Sequence, residues 1–376
     1  MAREAKLSRT LDGHTRAVLC CHAPLSHPDL LATSAQDGTV SLYDLRNKEN
    51  VQRYECFGGE AVSSVCFTPA RSDIFYASAG ASVYCIDTRL GSVSEATMKF
   101  DYNNDEINQV ALNQKASYLA AADDSGEIKV IDLENRKLQK TLRGVHTNIC
   151  STVQFHPHRP WELISGGLDS KIVKWDFNKG RPMKVFDEGI GAVQPGVSGQ
   201  FCNPPFVHVL AAPECKVAGK GGKVLAVARG NGAVEICDLA LEKCHELRLC
   251  GAIANNDGQD KGSKGKTIQQ EAVDGAQEAV EGRHLSAASS VTFARFEESR
   301  SFVISGSNDK GIKMWDWCKE SDTVSVERSS RNTFCGQLLL NVRHKRKVNW
   351  ICTAARSSEN VFVADTSKRL SVYTFL

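Results

Sequence analysis

Residues 146–176 read HTNICSTVQFHPHRPWELISGGLDSKIVKWD, and this stretch decides the fold. Three short runs rich in apolar and β-branched residues are separated by turn residues, a pattern typical of consecutive β-strands. The stretch opens on His146, carries Ser165 and Asp169 in its second half and ends on Trp175 followed by Asp176. Because an ending of the same kind recurs along the chain, the sequence predicts a repeated unit rather than a single supersecondary motif.

The repeat has a period in the forties. Each unit closes on an apolar or aromatic residue followed by Asp: Leu42-Tyr43-Asp44, Cys85-Ile86-Asp87, Val130-Ile131-Asp132, Lys174-Trp175-Asp176, Ile236-Cys237-Asp238 and Met314-Trp315-Asp316. The Asp residues are spaced by 43, 45 and 44 residues in the first three intervals and by 62 and 78 in the next two. The longer intervals are one period plus insertions. A seventh unit ends at Ser371-Val372-Tyr373, so the sequence predicts seven units.

A second marker precedes these endings by about thirty residues. It is a His after a residue of variable type, at Gly13-His14, Val145-His146, Arg283-His284 and Arg343-His344. Between the two markers lies a turn of small residues that ends in Asp. This arrangement resembles the Gly-His to Trp-Asp signature of WD40 repeats, which form propeller blades of four strands. The resemblance implies an all-β fold, a seven-bladed WD40 β-propeller.

The recurring polar residues predict a buried hydrogen-bonded relay in the blades, because a buried polar group is tolerated when it finds partners. Three sets are expected to act as structural tetrads: His14, Thr33, Asp37 and Tyr43 (in the Trp position); His146, Ser165, Asp169 and Trp175; and His284, Ser305, Asp309 and Trp315. Such His, Asp and Ser groups superficially resemble a hydrolase triad. Since they repeat at the blade period, we interpret them as structural and predict no catalytic residues.

The two ends of the chain are expected to meet. The last unit stops after its third strand, whereas residues 6–11 are a spare strand-like segment before the first His marker. We predict that this N-terminal strand completes the last blade, which removes a loose edge strand. Residues 1–376 then form a single domain. Residues 251–282 are rich in Gly, Asn, Asp, Gln, Lys and Glu and lack aromatics, so they are expected to be a disordered insertion between blades five and six. A smaller insertion lengthens blade five.

Composition narrows the class of protein. The 46 Lys and Arg nearly balance the 44 Asp and Glu, which disfavours a protein that grips nucleic acid through its overall field. No apolar run is long enough to cross a membrane, and the first residues show no signal-peptide core. The fourteen cysteines include no Cys-x-x-Cys pair, so we expect small buried hydrophobes in a reducing compartment rather than metal ligands. The expectation is an intracellular protein, cytoplasmic or nuclear or both, without cofactor or metal.

Two short segments suggest chemistry that the fold does not need. Arg343-His344-Lys345-Arg346-Lys347 could act as a nuclear import signal or a phosphate contact, or could simply be a solvated loop entering blade seven. Gly265-Lys266-Thr267 resembles the end of a phosphate-binding loop, but position 260, where the first Gly is required, is Asp260. We therefore reject the phosphate-binding loop.

Two blocks extend the resemblance beyond the generic repeat. One runs from Asp105-Glu106-Ile107-Asn108 through Asp123-Asp124-Ser125-Gly126 and His146-Thr147-Asn148 to Gly167-Leu168-Asp169, and the other from Lys347-Val348-Asn349-Trp350 to Ser371-Val372-Tyr373. Together they resemble the WD repeat-containing protein 53 family, which is grouped with candidate substrate receptors of cullin-4 ubiquitin ligases. Those receptors dock on an adaptor, damaged DNA-binding protein 1. The insertion 251–282 is not a feature that we associate with the family.

The docking signature that this resemblance implies is Asp-x-Arg after the third strand of a blade. Asp44-Leu45-Arg46 and Asp87-Thr88-Arg89 match it in blades one and two, although Tyr43 and Ile86 replace the usual Trp. The Asp can hold a backbone turn while the Arg projects from the lower rim as an interface anchor. Neighbouring blades would then present Arg46 and Arg89 on one face. The alternative is that both arginines are ordinary propeller surface.

The main functional hypothesis is a non-catalytic interaction scaffold, in its specific form a substrate receptor that docks on the cullin-4 adaptor and holds an unknown target protein. The alternatives are a scaffold subunit of another assembly, for example a chromatin-associated complex, and an enzyme that uses the central channel. RNA binding is disfavoured by the balanced charge. We expect a monomeric propeller within a complex, with no nucleic-acid partner and no membrane partner.

Overall fold

The computed structural model describes residues 4–47, 49–91, 93–187, 203–213, 224–239, 243–249, 282–296, 302–317 and 335–376. These residues form β-strands and one short 3₁₀ helix, Thr88–Leu90. In the described part of the chain we find no helix that is long and apolar enough to cross a membrane.

The strands fall into seven antiparallel sheets, each of which is one blade. Blades one to three consist of β2 (Val18–His22), β3 (Leu30–Ala35), β4 (Val40–Asp44) and β5 (Glu49–Tyr54); β6 (Val62–Thr68), β7 (Arg71–Ala79), β8 (Ser82–Asp87) and β9 (Met98–Phe100); and β10 (Ile107–Leu112), β11 (Tyr118–Asp123), β12 (Ile128–Asp132) and β13 (Lys137–Leu142).

Blades four to six follow the same order. They consist of β14 (Cys150–Phe155), β15 (Glu162–Gly167), β16 (Lys171–Asp176) and β17 (Arg181–Asp187); β18 (Val207–Ala211), β19 (Val224–Arg229), β20 (Val234–Asp238) and β21 (Lys243–Glu246); and β23 (Ala288–Phe293), β24 (Phe302–Ser307), β25 (Gly311–Asp316) and β26 (Cys335–Arg343). The sixth sheet gains a fifth strand, because β22 (Arg248–Leu249) pairs in parallel with β26. The sequence analysis did not predict this strand.

Blade seven combines both ends of the chain. It consists of β27 (Val348–Thr353), β28 (Val361–Asp365), β29 (Arg369–Phe375) and the N-terminal strand β1 (Ala5–Asp12). β1 pairs antiparallel with β29, from Ala5 opposite Phe375 to Asp12 opposite Arg369. The predicted closure by an N-terminal strand is therefore confirmed, and so is the seven-bladed propeller.

The blades form a closed ring because each inner strand packs against the next: β2, β6, β10, β14, β18, β23, β27 and again β2 contact one another in that order. We define the upper face of the propeller as the face that carries the loops between consecutive blades and the turns between the second and third strands of each blade. The lower face carries the loops from first to second and from third to fourth strands. The second and third strands are buried along most of their length since both sides of each blade pack against a neighbour.

Each inner strand carries a bulge near its start. The register shifts at its second residue in all seven blades, at Leu19, Ser63, Asn108, Ser151, His208, Ser289 and Asn349. In five blades this residue donates a side-chain hydrogen bond to the first carbonyl of the next inner strand. Asn349 Nδ2, for example, lies 2.8 Å from the carbonyl oxygen of Val18, which joins blade seven to blade one. A bulge re-aims a side chain, and here it points the polar group towards the neighbouring blade.

The residue after the bulge completes the connection by accepting an amide hydrogen bond. Gln109 Oε1 accepts from Val153, Thr152 Oγ1 from Leu210 and Ser290 Oγ from Ile351, at 2.9, 3.0 and 2.9 Å between nitrogen and oxygen. An inner strand is the edge of its own sheet, so its outward amides need partners from outside that sheet. We call these bulge residues and their acceptor neighbours the channel belt: Ser63, Ser64, Asn108, Gln109, Ser151, Thr152, Ser289, Ser290 and Asn349.

The insertion predicted at 251–282 lies outside the described residues except for Gly282, so its disorder remains a prediction. The smaller insertion, expected around residues 202–222, is described at 203–213, and there the expectation was wrong in part because residues 207–211 form β18, the inner strand of blade five.

One pair of cysteines departs from the expectation that all fourteen are unpaired hydrophobes. Cys237 and Cys244 lie opposite each other on β20 and β21, with their sulfurs 2.11 Å apart in a disulfide. The expectation was wrong for this pair because cross-strand register, which spacing alone does not reveal, places them side by side. Seven other described cysteines are free, and six of them are buried: Cys20, Cys21, Cys66, Cys85, Cys150 and Cys352.

Candidate functional site

The fourth blade contains the complete predicted relay. His146 Nε2 lies 2.8 Å from Ser165 Oγ, and Trp175 Nε1 donates to the same hydroxyl at 2.8 Å. Nδ1 of His146 lies 3.1 Å from Asp169, whose carboxylate also accepts from the Thr147 amide. This series of hydrogen bonds, which runs from Trp175 through Ser165 and His146 to Asp169, connects the third strand to the loop that enters the blade.

The sixth blade repeats this arrangement with a looser end. His284 Nε2 lies 2.8 Å from Ser305 Oγ, whereas Trp315 Nε1 is 3.4 Å from that hydroxyl. Nδ1 of His284 is 3.3 Å from Asp309. Burial alone would raise the pKa of Asp309, but its contact with His284 and hydrogen bonds from the Leu285 and Gly311 amides hold the pKa well below its usual range.

The first blade differs at the Trp position. His14 Nε2 lies 2.7 Å from Thr33 Oγ1, and its Nδ1 lies 3.3 Å from Asp37. The Tyr43 hydroxyl donates instead to the carbonyl of Asp12, at 3.2 Å. The prediction that Tyr43 takes the place of Trp in the relay is therefore correct for its position in the strand but not for its hydrogen bond, because the longer phenol ring reaches past the threonine.

Two further relays escaped the sequence reasoning. In blade seven His344 contacts Asp365 through Nε2 and the Tyr373 hydroxyl through Nδ1, both at 2.7 Å. In blade three Asn103 donates to Asp123 at 2.8 Å. The signal that could have found them is the spacing of 20 or 21 residues from each entry residue to an Asp.

These relays are poorly suited to catalysis. Ser165 and Ser305 are fully buried, so no substrate can reach their hydroxyls. Burial lowers the pKa of His14 and His284, which keeps both rings neutral at physiological pH. Every group in the relay of blade four already has its partners within the blade. The relay explains how the loops are held, and it supplies no reacting group.

The central channel offers a cavity of about 460 Å³ that opens towards the lower face and is lined by all seven inner strands. Its titratable lining residues are His22, His156, Arg295 and two cysteines, and among the described lining residues there is no Asp or Glu. Burial lowers the pKa of His22 to about 3 and that of His156 to about 4. General acid–base catalysis is served by a group poised near neutral pH. The described channel lining contains none.

The two Asp-x-Arg segments adopt the same turn on the lower rim. In blade one Asp44 accepts the Arg46 amide at 2.9 Å, and its two oxygens accept from Arg46 Nε and Nη2 at 3.0 and 2.7 Å. This paired contact lowers the pKa of Asp44 to about 2. The side chain of Arg46 remains 60% exposed. Leu45, between them, is buried, and its carbonyl accepts from Arg9 of β1 at 2.9 Å.

The turn of blade two reproduces this geometry. Asp87 accepts the Arg89 amide at 3.0 Å and contacts Nε and Nη2 of the same arginine at 2.9 and 2.5 Å. The hydrogen bond to Arg89 lowers the pKa of Asp87 to about 2. Arg89, 59% exposed, also contacts Asp73, which binds Arg71. The sequence analysis missed Asp73, although Arg71-x-Asp73 has the same two-residue spacing as the other pairs.

The turns of blades three and four lack this arginine. Asp132 accepts from the amide and side chain of Asn135, and Asp176 accepts the Lys179 amide. The Asp therefore holds a turn in all four blades. Among these four blades, only blades one and two hold the guanidinium of an arginine in a fixed orientation at this turn.

Three ligand-type groups meet in blade five, but they do not make a metal site. Glu235, Cys237 and Cys244 lie within 4.8 Å of one another. The two sulfurs are bonded together, and Glu235 Oε2 accepts from Nε and Nη2 of buried Arg229 at 3.0 and 2.8 Å. We therefore assign no metal here.

Comparison with known proteins agrees with the repeat geometry. The family model described as "WD domain, G-beta repeat" matches residues 5–44, 136–176 and 281–316. These segments contain the relay residues of blades one, four and six. The repeats of this chain are WD40 repeats.

Similarity to one relative extends over nearly the whole chain. The chain is 26% identical to WD repeat-containing protein 53 homolog of Dictyostelium discoideum, over 96% of its length and 92% of that protein. It is 26% identical to THO complex subunit 3 of Arabidopsis thaliana over 47% of the chain and 53% of that protein. It is 24% identical to GATOR2 complex protein WDR24 of Danio rerio over 42% of the chain and 20% of that protein.

Proposed function

We propose that this seven-bladed WD40-repeat β-propeller is a non-catalytic interaction scaffold that docks through its lower rim on the adaptor of a cullin-4 ubiquitin ligase, damaged DNA-binding protein 1. The observation that carries the proposal is the repeated turn in blades one and two, with Arg46 and Arg89 each held by its own Asp. Similarity to WD repeat-containing protein 53 homolog over almost the whole chain supports it.

The chemistry of the two turns suits an interface anchor. Each guanidinium is held in one orientation by two hydrogen bonds, so less side-chain entropy remains to be lost on binding. Arginine is also enriched among the residues that dominate protein interfaces. Two such anchors on adjacent blades would act on one partner, whereas a single exposed arginine would be ordinary surface.

A non-catalytic role agrees with the chemistry of the molecule. The His, Ser and Asp groups of the relays are buried and mutually bonded, and the described channel lining lacks a carboxylate. We extend the proposal to an intracellular location, where a cullin-4 adaptor is available.

The test is capture of the purified adaptor by the full chain. We expect the wild type to bind and the double variant Arg46→Ala, Arg89→Ala to bind at least about tenfold more weakly, because two anchors are truncated together. The matched control is Arg143→Ala, Arg181→Ala, which removes two exposed arginines of blade four. Thermal unfolding of all three proteins should be the same.

Undiminished capture by the double variant would refute the docking assignment. A wild type that captures no adaptor would favour the alternative, a scaffold subunit of a different assembly.

A further inference from the structure

A basic surface covers one side of the upper face. Seven exposed cations from three consecutive blades, six, seven and one, form it: Lys310, Arg343, Lys345, Arg346, Lys347, Lys368 and Arg16. The run 343–347 supplies four of them from the loop that enters blade seven. Within that run His344 points inward, buried in its contacts with Asp365 and Tyr373. Anchoring the His fixes the loop and leaves its cations outside.

Backbone hydrogen bonds make the three blades continuous at this surface. The His344 amide donates to the Lys310 carbonyl at 2.7 Å, which joins blade seven to blade six. The Val18 amide donates to the Ser367 carbonyl at 3.0 Å, which joins blade one to blade seven beside Lys368. The cations are therefore neighbours in the folded molecule, although residues 16 and 368 lie at opposite ends of the sequence.

Within the described residues these charges are not neutralised by carboxylates. Among the described residues none of the seven forms an ion pair. The carboxylates in the same loops are already engaged, since Asp309 contacts His284 and Asp365 contacts His344. Like charges brought together without counterions repel one another, so an anionic partner would relieve this repulsion.

The adjoining side of the same face, on blades two and three, is acidic. Glu60, Asp105, Glu106 and Asp124 are exposed in the entry loops and turns of blades two and three. Three of them, Glu60, Asp105 and Glu106, line an open depression between those blades. The upper face is therefore divided into a basic and an acidic side, a division that the net charge of +2 conceals.

We propose that the basic surface of blades six, seven and one binds a carboxylate-rich peptide segment of a protein partner. The seven cations are spread over three loops, which suits negative charges distributed along an extended chain. About half of them are lysines, which act as flexible point charges and need no fixed carboxylate geometry. An acidic segment confined to three blades stays clear of the acidic side.

A nucleic acid fits this surface less well. A backbone of phosphates that continued across the face would meet the carboxylates of blades two and three. A single phosphorylated residue is a concentrated dianion that calls for converging arginines, and here the cations are distributed over three loops.

This peptide site is independent of adaptor docking. The Asp-x-Arg turns lie on the lower face, and the basic surface is on the upper face, so either site can exist without the other. Binding to the isolated full chain tests the peptide site alone.

The test measures fluorescence anisotropy of a labelled peptide of alternating Glu and Ser, about twelve residues long, which spans roughly 40 Å when extended. The full chain should bind it, and affinity should fall between about 50 and 200 mM salt because exposed charges are screened. Lys345→Glu, Arg346→Glu, Lys347→Glu should weaken binding by at least about tenfold. The milder variant Lys345→Gln, Arg346→Gln, Lys347→Gln should weaken it less, in a loop with no new charge.

The matched control is Lys6→Glu, Lys115→Glu, Lys137→Glu, which makes the same change in net charge at exposed lysines of the described chain outside the basic surface. Equal loss of binding in the control and the 345–347 variant would overturn the proposal. So would no binding by the wild type, or tighter binding of a thymidine oligonucleotide or of phosphatidylserine vesicles than of the peptide. Binding that survives in the control, is weakened by the Gln variant and is weakened further by the Glu variant supports it.

Discussion

At the scale of single residues, one hydroxyl organises the fourth blade. Ser165 Oγ accepts from Trp175 Nε1 and contacts His146 Nε2, so two buried groups depend on it. Removing a hydroxyl that has two buried partners leaves both without a hydrogen bond, which is costlier than the loss of the bond itself.

We therefore expect Ser165→Ala to lower the free energy of unfolding by about 1–3 kcal/mol. The matched control is Ser34→Ala, because Ser34 is equally buried but its hydroxyl has no hydrogen-bond partner in the described structure. That control should change stability by less than about 0.5 kcal/mol. Urea denaturation of the three proteins measures the difference, and equal losses in both variants would contradict the relay.

A second prediction concerns pH. Burial lowers the pKa of His156 to about 4, whereas in the unfolded chain it is about 6.5. The folded state therefore binds this proton less readily, and its stability falls as pH drops below 6.5 towards 4. Between pH 7 and pH 5 this group should cost about 2 kcal/mol.

The variant His156→Gln should remove that part of the pH dependence. Urea unfolding at pH 7, 6 and 5 compares its slope with that of the wild type. A variant with an unchanged slope would show that other groups, such as His14 or His22, account for the whole effect.

The relay residues could be predicted because their spacing repeats. All three predicted His–Ser/Thr–Asp contacts form, and only the Tyr43 hydrogen bond differs. The relays of Asn103 and His344 could not be recognised in the same way, since each replaces a signature residue and moves the Asp by two or three positions. A spacing pattern does not show how far a side chain reaches or how a turn of different length is folded. Either difference redirects a hydrogen bond.

At the scale of elements, the strand β1 both closes the propeller by pairing with β29 and contacts the lower rim of blade one. It buries Leu11, and its Arg9 contacts both Glu359 and the carbonyl of Leu45 in the Asp-x-Arg turn of blade one. Without β1 the strand β29 would expose an unpaired edge, which is a template for association with other chains.

Truncation of residues 1–12 should lower the free energy of unfolding by at least about 3 kcal/mol, because a buried leucine and a whole strand ladder are lost. We also expect aggregation that increases with protein concentration, measured by light scattering. Truncation of residues 1–4 alone, which spares nearly all of β1, is the control. Equal behaviour of the two truncations would mean that the closure contributes little.

The order of the elements was predictable, but the channel belt was not. Alternation and turn residues indicate where strands lie, whereas a bulge depends on how two strands are paired. Ser63, Ser151 and Ser289 recur near the start of inner strands, but serine is common in turns and carries no mark of its inter-blade partner. The pairing of Cys237 with Cys244 escaped prediction for the same reason.

At the scale of the whole molecule, the belt adds side-chain hydrogen bonds to the apolar contacts and backbone hydrogen bonds between blades. We expect the triple variant Ser151→Ala, Ser289→Ala, Asn349→Ala to lose about 2–4 kcal/mol of unfolding free energy, because each side chain supplies about 1 kcal/mol. The control Ser94→Ala, Ser357→Ala removes two exposed hydroxyls. Urea denaturation gives the comparison, and losses no larger than those of the control would contradict the role of the belt.

The division of the upper face shows what a linear reading misses at this scale. The run 343–347 was visible in the sequence, but its alternatives, including a solvated loop, stayed open. Only ring closure brings Lys368 beside Arg16, and only the blade order places the acidic loops on the adjoining blades two and three. The net charge of +2 is a sum over the whole chain, so it reveals neither the basic side nor the acidic side.

The pairing of β1 with β29, which closes the ring, also limits when the chain can complete its fold during translation. β1 leaves the ribosome long before its partner, because Arg369 of β29 is paired with Asp12 and follows it by 357 residues. At about 5–20 residues per second, β1 must wait on the order of half a minute for a partner to be translated. A nascent chain therefore carries an unsatisfied strand throughout its elongation, and a polypeptide that stops before residue 369 never pairs it.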